Sequence, residues 1–88
     1  MELFSQIENL HAIVRYPKGV YKQVKVYRRG THVYIPHSGG FIEVRYVDYD
    51  KTSYVTSHPD IKVLEIDEDD GFDYEFTLGH HYLRWKGK

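Results

Sequence analysis

Cysteine is absent from the 88 residues, which excludes a disulfide framework, a thiolate zinc site and a cysteine nucleophile. Long hydrophobic runs are missing too. The longest, Ala12-Ile13-Val14, spans three residues, against the roughly 20 that a membrane-crossing helix needs. No basic-then-apolar segment opens the chain, so the expectation is a cytoplasmic protein with no membrane partner. Acidic residues are absent from the stretch 15–30, which carries six basic ones. What is present suits a folded globule: 41% of residues are hydrophobic and 16% aromatic. A chain this short holds one modest core, so residues 1–88 are read as a single domain.

The net charge of −1 hides a strong asymmetry. Residues 1–47 sum to +4 and residues 48–88 to −5. The stretch 60–75 holds eight acids and one lysine. Charge segregated in this way makes a surface field that steers a partner.

Periodicity speaks for strands. Phe72-Asp73-Tyr74-Glu75-Phe76-Thr77-Leu78 alternates strictly, which puts Phe72, Tyr74, Phe76 and Leu78 on one face. That face is expected to meet the core, together with Val24, Val26, Val33, Ile35, Val63 or Leu64, and Ile66. Gly79-His80-His81 then connects to Tyr82–Trp85 in a hairpin. Further strands are expected at Val20–Tyr27, His32–Ile35, Phe41–Tyr49, Tyr54–Thr56 and Ile61–Ile66, with Gly and Pro between them. Leu10, Ala12, Val14 and Tyr16 alternate as well. Leu3, Ile7 and Leu10 recur at spacings of four and three, which suits a short helix over Glu2–Asn9. The fold class is therefore mainly β: a small, strongly bent antiparallel sheet, either an SH3-like barrel or a small sandwich, with a short N-terminal helix as the minor alternative.

The residues that suggest chemistry have plainer explanations. His80 and His81 are adjacent and point to opposite faces of a strand, and no histidine pair has helical i, i+4 spacing. Asp67-Glu68-Asp69-Asp70-Gly71 resembles a calcium loop only in composition. With Gly71 at the sixth position of such a loop, Ile66 fills the first and Thr77 the twelfth, where carboxylates are needed. Ser57-His58-Pro59-Asp60 places triad residue types side by side, whereas a working triad converges from separate elements. It reads as a turn held by Ser57 or Asp60. Gly39-Gly40 is too short for a phosphate cradle. No catalytic residue, metal site or cofactor is expected.

Two charged edges remain. On the first, Tyr16, Lys18, Tyr21, Lys22, Lys25, Tyr27, Arg28 and Arg29 interleave rings with cations, the mixture that stacks on bases and meets phosphates. Of these, Tyr21, Lys22, Lys25, Tyr27, Arg28 and Arg29 are the expected contact set. Exposed tyrosines and lysines are also ordinary strand composition. On the second, Asp67, Glu68, Asp69, Asp70, Asp73 and Glu75 present a charge pattern that can cover a basic protein surface.

The strings Gly19–Tyr27, His37–Ile42 and Thr56–Ile61 give the chain a resemblance to the short early proteins of T-even-type phages. That resemblance implies a compact, non-enzymatic inhibitor of host machinery, acting against a nuclease or toxin in the host cytoplasm. The alternative expectation is a single-stranded RNA-binding module that uses the basic, tyrosine-bearing edge. Either is compatible with a monomer or a homodimer.

Overall fold

A computed structural model describes residues 3–46, 54–66 and 71–87. These form eight antiparallel strands: β1 (Ser5–Tyr16), β2 (Val20–Arg29), β3 (His32–His37), β4 (Gly40–Tyr46), β5 (Tyr54–Thr56), β6 (Lys62–Ile66), β7 (Phe72–Thr77) and β8 (His80–Trp85). Their order in the sheet is β2-β1-β6-β5-β4-β3-β8-β7, and β2 also pairs with β3. That extra pairing closes the first six into an SH3-like barrel, so the sandwich alternative falls away. β8 and β7 extend from β3 as a hairpin, anchored where His32 pairs with Arg84 and where the Trp85 amide donates to the Thr31 carbonyl at 2.8 Å.

The interior is built from aliphatic side chains: Ile7, Leu10, Ala12, Val14, Val26, Val33, Ile35, Val44, Ile61, Val63 and Leu83. Six strands enclose a narrow space that branched aliphatics fill and rings do not. Tyr16, Tyr54, Phe72 and Trp85 accordingly pack against this core without being fully buried. Val26, Val33, Ile35 and Val63 lie where the sequence puts them, while Val24 and Ile66 sit at the margin.

The structure corrects the sequence reading in two places. No helix forms at the N-terminus, since Ser5 already begins β1 (Glu2 lies outside the described residues). Gln6 pairs with Tyr27 and His11 with Lys25, so the four residues Ile7–Leu10 lie opposite Val26 alone. The bulge turns through Asn9 at φ 65° and brings both Ile7 and Leu10 inward. A helix-like spacing of three is therefore produced by a β-bulge. A second irregularity sets Leu64 outside the β1–β6 register and leaves Val63 in the core.

The other correction concerns β7. Among the described residues it pairs with β8 alone. Phe72 packs on Trp85 at 4.9 Å, but Tyr74, Phe76 and Leu78 are 38%, 65% and 89% exposed. Tyr74 pairs with the buried Leu83 and Phe72 with Trp85, so the alternating face is the one turned toward the core. However, β7 lies beyond β8 at the end of the described sheet, and its later residues reach past the core. Leu83 on β8 supplies the hairpin's fully buried side chain instead. The loop before β7 enters through Gly71 at φ 89°, where an added Cβ would lie 2.8 Å from the Trp85 ring.

Candidate functional site

β2 and β3 run together only briefly. Their ladder covers Arg29–His32, Arg28–Val33 and Tyr27–Tyr34, and then stops. Pro36 explains why. His37 pairs with Gly40 across the tight Ser38-Gly39 turn, with φ values of 50° and 80° at the two turn residues. Backbone direction alternates along a strand, so Pro36 turns its backbone toward β2. It has no N–H to offer there. Its carbonyl is taken by a side chain instead: the Tyr16 hydroxyl donates to it at 3.2 Å. Beyond this point β2 stays with β1 while β3 stays with β4, and the strands diverge.

The gap between them is a groove of about 660 Å³. Four rings line it, Tyr16, Tyr27, His37 and Phe41, together with Pro36 and Lys22. On one side His37 stacks on Tyr16 at 5.7 Å and the Lys22 ammonium sits 5.8 Å from the Tyr16 ring centroid. On the other, Tyr27 meets Phe41 edge-on at 4.9 Å, and Phe4 stacks on Phe41 at 4.2 Å. Phe4 also meets Tyr34 at 4.7 Å and receives the Arg29 guanidinium at 5.4 Å. The described lining residues include no carboxylate. Burial raises the Tyr16 phenol above its ordinary pKa. Tyr34 is raised by burial and by Glu43, against lowering by Arg29 and Arg84. Both rings are thus neutral hydrogen-bonding groups at physiological pH.

The structure divides the basic edge read from the sequence. Tyr21, Lys25, Tyr27 and Arg29 share the odd-numbered side of β2, and Tyr21 is 60% exposed. Lys22 is on the even side and reaches the groove, where Tyr27 joins it from the strand's far end. Arg28 is turned away, its guanidinium donating to the Gly30 carbonyl at 3.2 Å. Tyr16 belongs to the ring-and-cation stretch read from the sequence, but Pro36, His37 and Phe41 are not reached by that reading. The signal for them was a proline inside a strand, two residues from a Ser-Gly turn. Phe4 carried no signal of its own.

The acidic edge is only partly described. Asp67, Glu68, Asp69 and Asp70 lie outside the described residues. Asp73 is exposed and accepts the Tyr74 amide at 2.8 Å, and Glu75 lies 3.5 Å from the Arg84 guanidinium. Arg84 is 7% exposed and also approaches Glu43 at 3.8 Å, while Glu43 meets His32 at 2.8 Å.

The Ser57–Asp60 segment is a turn, held by residues other than those expected. The Thr56 hydroxyl accepts the His58 amide at 3.0 Å and lies 2.7 and 2.8 Å from the His58 and Ile61 carbonyls. His58 Nδ1 accepts the Asp60 amide at 3.2 Å. That bond uses the Asp60 backbone rather than its carboxylate, so a relay geometry is not formed. Among the described residues no group of three or more His, Asp or Glu is placed to hold a metal ion. No helix among them is long and apolar enough to cross a membrane.

Comparison with protein families, curated proteins and solved structures finds no match.

Proposed function

We propose that this protein is a non-catalytic binding module that holds single-stranded nucleic acid in the groove between β2 and the β3–β4 hairpin. The observation behind the reading is the groove's lining: four rings and a lysine, with no carboxylate among the described residues. Bases stack on aromatic faces whatever their identity, and cations beside the rings meet the phosphates. The sequence around the groove extends the field, since residues 15–30 hold six basic residues and no acid. A duplex keeps its bases stacked inside, so the groove favours a single strand. The test is a filter-binding comparison of one oligonucleotide, single-stranded and annealed to its complement, at low salt. Retention of the single strand over the duplex is expected. No retention of either ends the proposal.

A second reading follows from the phage-type resemblance: a cytoplasmic host-takeover factor that blocks a nuclease or toxin. Charge segregation favours it, because Asp73 and Glu75 stand exposed on β7, away from the basic β2. Glu75 shares its charge with Arg84, which weakens this edge as a lure for a basic protein. A pull-down from host lysate with and without nuclease separates the two readings. Capture that disappears on nuclease treatment supports nucleic acid as the partner.

A further inference from the structure

The β7 edge is built differently from the groove and is independent of it. Leu78 and Gly79 form the tip of the β7–β8 hairpin at φ 52° and 80°. Two-residue turns of this kind favour Asn or Gly at the first position, because a side chain there is strained. Leu78 occupies that position while 89% exposed, so its strain is not offset by packing within the chain. Phe76, two residues earlier, is 65% exposed. Thr77 pairs with His80 across the turn, which directs the backbones of Thr77, Glu75 and Asp73 toward β8. The backbones of Tyr74 and Phe76 are thereby directed outward, along the edge where the described sheet ends. At Tyr74 the Asp73 carboxylate already takes the outward amide. Among the described residues, Phe76 is where the edge stays open.

We propose that this edge pairs two copies of the chain, β7 against β7 antiparallel, with Phe76 opposite Phe76 of the second copy. Charge selects that register. Centring the pair on Tyr74 sets Asp73 opposite Glu75 of the other copy, and centring it on Glu75 sets the two Glu75 side chains face to face. Like charges directly opposite are destabilising. Centring on Phe76 places Glu75 opposite Thr77 and Phe76 opposite Phe76, and brings the Leu78 turn beside the other copy's β7, so the acids meet neutral residues and the exposed Phe76 and Leu78 side chains adjoin. On the acidic face Arg84 remains beside Glu75 within each copy. The contact is isologous and closes at two copies.

The test uses the absence of cysteine from the chain. Paired strand residues bring their Cα atoms to about 5.5 Å, within disulfide range. Phe76→Cys is expected to oxidise to a covalent dimer, whereas Thr77→Cys, opposite Glu75, stays largely monomeric. The unmodified chain should sediment with a mass rising from 10.5 kDa toward twice that value as concentration increases. Leu78→Asn, which suits the turn, should return it to the monomer without lowering its melting temperature. A chain that remains monomeric to millimolar concentration overturns the proposal. So does equal cross-linking of the two cysteine variants.

Discussion

The Tyr16 hydroxyl donates to the Pro36 carbonyl across the mouth of the groove, at 3.2 Å. One residue lacks the amide that would continue the β2–β3 ladder, and the other satisfies the carbonyl that the broken ladder exposes. The opening is therefore a stable feature of the barrel. Tyr16→Phe should cost about 0.5–1.5 kcal/mol, the net worth of one hydrogen bond. A urea titration reads this as a lower midpoint at unchanged slope.

Restoring the missing amide should act on the groove and not on the fold. Pro36→Val supplies an N–H on the β2-facing edge and suits a strand. The variant is expected to be as stable as the parent and to bind single-stranded RNA at least several-fold more weakly. Thermal melting and filter binding, run on the same preparation, separate the two effects.

Buried core positions and the exposed β7 edge differ in their tolerance of truncation. Leu83→Ala and Ile35→Ala each empty a fully buried site and should cost about 2–5 kcal/mol. That is a large part of the stability of so small a domain. Phe76→Ala removes a ring that is 65% exposed and should change stability by about 0.5 kcal/mol or less in the monomer. Denaturation of the three variants at low concentration checks the register directly.

Most of the strand pattern was legible in the sequence, because alternation and turn residues are local properties. The strands at Tyr54–Thr56 and around Ile61–Ile66 were readable in this way. Two features were not. The Ile7/Leu10 spacing has a helical period that a bulge also produces, and only the pairing with Val26 distinguishes them. The apolar face of β7 is as regular as a core strand, yet its neighbours are fixed by the barrel closing without it. For the site, Tyr27 and Lys22 were legible as ring and cation. Their meeting with His37 and Phe41 depends on where β2 and β3 part, a long-range consequence of Pro36.

Raised pKa values at Tyr16 and Tyr34 predict an alkaline signature. A phenol whose folded pKa exceeds its unfolded value of 10.0 holds its proton more tightly in the fold. Stability from this source is complete below the unfolded value and is lost as pH rises through the folded one. Absorbance titration should show these two of the nine tyrosines ionising late. The lag should shrink in Tyr16→Phe and again in the double variant with Tyr34→Phe.

The central claim is that the groove holds a single strand by stacking beside a cation, and the salt dependence of binding separates those two parts. The measurement is a titration of single-stranded RNA at three salt concentrations, on the parent chain, Lys22→Gln and Tyr27→Ala. Counterion release gives log K against log salt a slope of about −0.7 for each neutralised phosphate. Lys22→Gln should flatten the slope by about one such unit. Tyr27→Ala should leave the slope unchanged and weaken binding by about 1–3 kcal/mol, the worth of one stacked base. A parent chain that binds no RNA at the lowest salt, or two variants that shift affinity and slope identically, would contradict the account.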